Sequence, residues 1–474
     1  MALENYLSEI FQTLENGGVS YCHWKSNSHL DDSFAGETDF DILVARDSVE
    51  KFREVLTRYN MKRRWSTADK AYNFMEDFVG VCPETSAMFH FHLHYRLIMG
   101  EKLDKNYVIP IDQEVLRDSI IDPNFGIRII SPEWEQLLLM IRILLKTDLS
   151  LKNIIKQLLG KQIAPRNIDE EYFHLEKLTD ESLLQRHLGC PFVLPKQILA
   201  VPKMLGMVKK SNVLGRVFDG IRFFLLKARV KSVLKAARVR SGKEHRKEKK
   251  ARAIYSQVGV RGSSKGGFSI AFIGADGSGK STTVEMIKKW LCWKYSVAEL
   301  YMGIPKKSFV LDKTKPLVKI LKKLKIDFLV EHVQNLRWLY LAYFRYQQYL
   351  KSIELKNSGH IVIMDRYPHP AFNDMKEPMD GPRIKSSSIW SKYERGFYNK
   401  IKSPDIIFVL KVTLEESVRR KKEHESERLQ EMIKGKIVAI DKLCKTDAQV
   451  IEINSCRERD VIIREIKAYI WEKI

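Results

Sequence analysis

The stretch MALENYLSEIFQTLENGG places Leu3, Tyr6, Leu7, Ile10, Phe11 and Leu14 at helical spacing, and Gly17-Gly18 ends the pattern. Residues 20–25 and 39–44 then read as strands, the second with alternating character. A helix is expected over 48–59 and a strand over 88–94. From Pro132 onward the pattern is helical, and WEQLLLMIRILLK is its clearest piece. Together these predict a small α/β unit with a helical extension. Further along, 268–273, 297–302, 360–364, 405–412 and 449–453 read as strands separated by helical patterns, one of them over 281–293. Such alternation predicts an α/β fold with a parallel sheet flanked by helices on both faces. We therefore divide the chain into a domain at 1–200, a basic helical connector and linker at 201–265, and a second α/β domain at 266–474.

The chain has 474 residues, of which 44% are hydrophobic and 30% charged, the profile of a globular protein rather than a disordered, collagenous or membrane-integral one. Six scattered cysteines, Cys22, Cys82, Cys190, Cys292, Cys444 and Cys456, form no C-x-x-C pair and read as free thiols of a reducing compartment. The first helix carries Glu4, Glu9 and Glu15, unlike a signal peptide. No apolar run approaches the ~20 residues of a spanning helix. We expect a cytoplasmic protein.

The formal charge of +22 is concentrated between Lys203 and Arg252, where seventeen Lys and Arg face three acids. Up to Arg240 this stretch also has apolar residues at helical spacing; SGKEHRKEKKARA is almost wholly charged, and GVRGSSKGG reads as a linker. The segment KPLVKILKKLKIDFLVEHV has the same basic and apolar character. Three readings stay open: docking on the inner face of an anionic membrane or on a lipid-linked acceptor, nucleic-acid binding, and a plain charged linker.

Residues 274–281, Gly-Ala-Asp-Gly-Ser-Gly-Lys-Ser, fit G-x-x-x-x-G-K-[ST] between an apolar strand and a helix. In that context Gly274, Gly277, Ser278 and Gly279 would let backbone N–H groups wrap a polyphosphate. Lys280 would reach its β- and γ-phosphates, and Ser281, followed by Thr282, would hold Mg²⁺ at the start of the helix. The run at 360–364 ends in Asp365-Arg366-Tyr367. An acid at a strand tip can bind Mg²⁺ or its water, and a neighbouring arginine can clamp a transferring phosphoryl group; an ion pair at a strand end is the plain alternative.

FIGADGSGKST, IVIMDRY and PDIIFVLKV, in that order over 266–474, resemble the thymidylate kinase family of P-loop kinases. The resemblance implies that Lys280 and Ser281 bind ATP-Mg²⁺ and that Asp276 lies towards the acceptor. It makes Asp365 and Arg366 the family's Asp-Arg pair and Arg345 the helix arginine that holds the acceptor phosphate. It places Arg420 and Arg428 in a charged lid, where a solvated charged helix is the alternative. The family's Glu-Pro after the second strand is replaced by MGIPKKS. Pro368-His369-Pro370-Ala371-Phe372 stands where polar residues read thymine, and a basic insertion occupies about 306–327. A site that has lost its base-reading groups changes substrate, so a non-thymidylate acceptor is expected, with a sugar or surface-glycan intermediate as the class the resemblance suggests.

In Gly-Glu-Thr-Asp-Phe-Asp-Ile-Leu-Val, Asp39 and Asp41 fall on one face of a strand, where two acids can hold Mg²⁺ for nucleotidyl transfer; a polar strand edge is the plain alternative. With CHWKSN and FHFHLHYRL, this segment resembles nucleotidyltransferase-fold proteins over about 1–180. Their third carboxylate would fall at His92, which is not a hard Mg²⁺ ligand. His90, His92 and His94 share one face, where a zinc site is conceivable; three ligands from a single strand do not converge easily on an ion, so ordinary half-buried histidines or partners for the Asp pair are expected.

The sequence thus points to an ATP- and Mg²⁺-dependent phosphotransferase. Alternatives are a thymidylate or other nucleoside monophosphate kinase, and an ATP-binding regulatory module on a nucleotidyltransferase. A homo-oligomer is compatible with the sequence.

Overall fold

The computed structural model describes residues 2–66, 72, 74–101, 105, 107–147, 168–189, 194–205, 213–235, 260–305, 307–372, 380–420, 426–446 and 450–474. The charged run 241–252 and Cys190 lie outside them. The chain forms two units, Met1–Gly259 and Val260–Ile474.

In the first unit, helix Ala2–Asn16 buries Leu3, Leu7, Ile10, Phe11 and Leu14 and ends where Gly17 N–H bonds to Thr13 O and Gly18 takes a φ of 63°. Its strands are β1 (Tyr21–His23), β2 (Phe40–Val44), β3 (Lys62–Trp65), β4 (Met75–Val81), β5 (Met88–His94), β6 (Leu97–Met99), β7 (Tyr107–Ile109), β8 (Ile120–Ile121) and β9 (Arg128–Ile129). Within the unit they run in the order β3-β4-β5-β2-β1-β9-β8, with β6 and β7 as a separate ribbon. β2 and β5 are parallel, while β4 and β1 flank them antiparallel. Alternation sorts β5: Phe89, Phe91 and Leu93 pack with Phe11 and Phe40 in one core, and the intervening histidines take the other face.

A second core surrounds helix Pro132–Lys146, buried almost throughout its length. The basic helix Val213–Leu234 joins it through Phe223, Leu226, Val230 and Leu234, so this stretch packs on the first unit. Its opposite side exposes Val217, Phe218, Ile221, Phe224 and Leu225.

The second unit contains a five-stranded parallel sheet in the order Val297–Tyr301, Ile361–Asp365, Phe268–Gly274, Ile406–Lys411, Val450–Asn454. All seven residues of the central strand are buried, as a strand covered on both faces requires. Ala271 and Ile273 pack with Ala342, Tyr398, Ile440 and Leu443 from helices. On the other face Phe272 stacks with Phe408, which meets Tyr469 of helix Arg459–Lys473. The chain is thus α/β, with a parallel sheet flanked by helices.

Five cysteines, Cys22, Cys82, Cys292, Cys444 and Cys456, are free thiols. Among the described residues no helix is long and apolar enough to cross a membrane.

Candidate functional site

The C-terminal tips of the parallel strands carry the candidate chemistry. Phe268–Gly274 delivers a loop that enters helix Lys280–Cys292 through Gly277 and Gly279, at φ of 79° and 83°. L-side chains rarely adopt these angles, so glycine is required there. Crowding requires glycine as well. A Cβ on Gly274 would stand 2.4 Å from Ser278 Oγ, and one on Gly277 would stand 2.7 Å from Ser417 Oγ. Ser417 Oγ donates to Asp276 O at 2.9 Å, which ties the loop to helix Leu414–Arg420.

Lys280 Nζ donates to the carbonyls of Gly274 at 2.6 Å and Ala275 at 2.8 Å. Burial pushes its pKa down to about 8, with Arg366 adding to the effect against Asp276 and Asp365. Ser281 and Thr282 are exposed on the first helical turn, beside the positive end of the helix.

Ile361–Asp365 lies beside the loop strand, pairing Asp365 with Phe272 on one side and with Tyr301 on the other. The Oδ1 atom of Asp365 is buried without a hydrogen-bond partner, and burial raises the pKa of its carboxyl against the pull of Lys280 and Arg366. Arg366 takes a φ of 60°, which costs ~1–3 kcal/mol for a non-glycine residue. Its guanidinium lies 5.9 Å from the Tyr301 ring centre. Gly303 leaves room for this, since a Cβ there would meet both side chains below 3 Å.

A cavity of about 200 Å³ joins these groups, lined by Asp276, Lys280, Arg345, Arg366, Asp380 and Lys436 among others. Arg345, on helix Asp327–Asn357, is 1% exposed. It donates to Met302 O at 2.8 Å, Tyr398 Oη at 2.7 Å and Asp380 Oδ1 at 2.6 Å. Burial opposes ionisation of Asp276, but the ion pair with Lys436 outweighs it and lowers the pKa.

Arg420 reaches the loop from behind, donating to Gly277 O at 3.1 Å and Ser455 O at 2.6 Å, and pairs with Glu416. The backbone of Arg428 belongs to helix Glu427–Thr446; its side chain lies outside the described residues.

Asp380, Lys436 and Ser417 escaped the sequence reading. Asp380-Gly381-Pro382 has the composition of a turn, and Lys436 is one lysine of a charged helix; nothing local marks either as a cavity residue. In the first unit, Asp39 and Asp41 face the histidines of β5. Asp39 Oδ2 is 3.0 Å from His90 Nδ1, and Asp41 contacts both His92 and His94. Asp77, also missed, sits on β4 directly across from His92 and 3.0 Å from His90 Nε2. Only the β4–β5 register shows it.

No family model matches the chain. YghR of Escherichia coli K12, described as an uncharacterised ATP-binding protein, is 26% identical over 208 residues, or 39% of this chain and 80% of that protein. The protein of the same name from Escherichia coli O6:H1 strain CFT073 gives the same values. Two solved structures of deoxyadenosine kinase from M. mycoides are also similar. The one with bound dATP has a TM-score of 0.29 at 16% identity, covering 43% of this chain and 98% of its own. The one with the products dCMP and a flexible dCDP has a TM-score of 0.29 at 18% identity, covering 44% and 100%.

Proposed function

We propose that the Val260–Ile474 unit transfers the γ-phosphoryl group of ATP to a non-thymidylate acceptor. The observation that carries this reading is the single cavity gathering Lys280, Arg366, Asp276 and Arg345 beside a glycine loop at the start of a helix. The description of the relative YghR as ATP-binding supports it.

Backbone N–H groups from Gly277 to Ser281 hold the polyphosphate, and Lys280 turns from the Gly274 and Ala275 carbonyls to its β- and γ-oxygens. Arg420 steadies the loop through Gly277 O and adds positive charge on the nucleotide side. Thr282 offers a further hydroxyl. The residues present suit Mg²⁺: Asp365 supplies a buried carboxylate oxygen without a partner, and Ser281 an exposed hydroxyl at the helix start. When bound, Mg²⁺ supplies charge neutralisation of the phosphates.

Arg366 clamps the group in flight. An acceptor oxygen bonds to the γ-phosphorus as the bond to the β–γ bridging oxygen breaks and ADP departs. A hydroxyl acceptor gives up its proton to Asp380, which Arg345 fixes at the cavity wall. Asp276, held by Lys436, lines the acceptor side. A sugar or glycan intermediate is the acceptor class we propose, with Asp380 on the cavity wall as the carboxylate that takes the proton of its hydroxyl.

The helical pair Phe309–Lys323 and Asp327–Asn357 supports an acceptor presented at an anionic membrane. Phe309, Ile320, Leu324 and Phe328 are exposed at 78%, 55%, 61% and 69%, among the exposed Lys313, Lys319, Lys322, Lys323 and Lys325. At 1.5 Å per residue, Asp327 stands about 20 Å along its helix from Leu341, which lines the cavity.

The test is transfer of label from γ-labelled ATP into aqueous and organic extracts of cells, with thymidylate assayed alongside. Label in a sugar or lipid-linked product supports the reading; efficient labelling of thymidylate overturns it.

A further inference from the structure

The histidine face of β5 does more than answer Asp39 and Asp41. The two strands are parallel, with Asp41 opposite His92 and Leu43 opposite His94. This register puts Asp41 Oδ1 3.3 Å from His92 Nδ1 and 3.3 Å from His94 Nε2. The three ligating atoms all lie within 4.8 Å of one another. Nitrogen and oxygen ligands held ~2.0–2.1 Å from a tetrahedral ion stand roughly 3.3 Å apart. Both oxygen-to-nitrogen separations already have that value. The obstacle to three ligands from one strand is absent here, because only two come from β5 and the third comes from its neighbour.

The surroundings suit ligation. Lys25 occupies the other oxygen of Asp41 at 2.7 Å and leaves Oδ1 to the two imidazoles. Asp77 Oδ1 stands 3.8 Å from His92 Nε2, across the ring from Asp41. At that distance Asp77 adds negative charge beside the site without hydrogen-bonding the ring. Asp41 pairs with Lys25 and Asp77 with Arg64, while Asp39 faces His90.

We propose that Asp41, His92 and His94 bind a borderline divalent transition-metal ion of the Zn²⁺ class, with a fourth position open to water or a ligand. Two imidazoles and one carboxylate favour such an ion over Mg²⁺, which takes oxygen ligands. Three protein ligands leave a tetrahedral ion one short, and the His92 side chain is 21% exposed, which gives that position access to solvent. This site belongs to the first unit and stands independently of phosphoryl transfer in the second.

The test uses the full-length protein, stripped with chelator and titrated with Zn²⁺, Co²⁺ and Mg²⁺ by calorimetry and absorption. One equivalent of Zn²⁺ is expected, bound at least about 100-fold more tightly than Mg²⁺, with a tetrahedral Co²⁺ spectrum. His92→Ala should weaken Zn²⁺ about 100-fold while ATP binding by the second unit is retained. X-ray absorption of the Zn²⁺-loaded wild type should show two imidazole ligands, a reading that does not depend on any variant folding. No Zn²⁺ binding, binding that survives His92→Ala, or a zinc shell without imidazole pairs would overturn the proposal, and Asp41 would then be a hydrogen-bond acceptor for two histidines.

Discussion

Arg345 and Asp380 meet at 2.6 Å on the wall of the cavity beside the phosphate loop. A buried guanidinium needs acceptors on all sides, and Met302 O and Tyr398 Oη take two of its other donors. Arg345 is thus a fixed strut that aims the carboxylate of Asp380 into the cavity. Asp380→Asn is expected to lower kcat about 100-fold with little change in the acceptor KM, as loss of a proton acceptor does. Steady-state kinetics on the identified acceptor check this. A lower KM with kcat intact would instead mark a phosphorylated acceptor that competes with Asp380 for Arg345.

Asp365 offers a buried oxygen without a partner, so its removal tests the Mg²⁺ assignment. Asp365→Asn is expected to reduce turnover about 100-fold or more and to raise the Mg²⁺ concentration needed for half-maximal rate. Nucleotide affinity measured without Mg²⁺ should change little, which separates loss of the ion from damage to the loop. Titration of rate against Mg²⁺ and calorimetry with ATP alone provide the two readouts.

Much of this arrangement could be read along the chain. The three inner strands over 268–274, 361–365 and 406–411 announce themselves as apolar runs, because both of their faces are covered, whereas the edge strands 297–301 and 450–454 alternate with polar residues. The phosphate loop is local: its spacing, its glycines and its lysine lie within eight residues. Asp380 and Lys436 could not be read this way, since their roles arise from side chains that meet Arg345 and Asp276 across 35 and 160 residues. Asp77 is similar. It looks like any acid in a strand until β4 pairs with β5 and sets it opposite His92.

The exposed tip of the helical pair gives a physical prediction of its own. Burying a phenylalanine in an apolar phase contributes about 1.5–3 kcal/mol, or roughly 10–100-fold in partition. Phe309→Ser and Phe328→Ser together should therefore abolish sedimentation with anionic vesicles. Salt should weaken binding of the wild type, because the surrounding lysines add a screened electrostatic term. Vesicles of neutral lipid should capture little protein.

Glu135 gives the first unit a pH-dependent stability. Burial raises the pKa of its carboxyl to about 7, against the pull of the Asn27 backbone and side-chain donors at 3.0 and 2.7 Å. The folded state therefore holds a proton that the unfolded chain releases near its ordinary value. The stabilisation is present at acid pH and is lost as pH rises towards about 7, by up to about 3 kcal/mol. Denaturation of wild type and Glu135→Gln at several pH values should show a shallower decline for the variant between pH 5 and 8.

The central claim is phosphoryl transfer at the Lys280 loop. The most direct measurement is the appearance of γ-label from ATP in an acceptor fraction, comparing wild type with Lys280→Ala at matched protein and saturating Mg²⁺. The account predicts a labelled product with wild type and at least a 100-fold slower appearance with the variant, because one preorganised charge on the transferring group is lost. Bound ATP with no labelled product from either protein, or equal labelling by both, would contradict it.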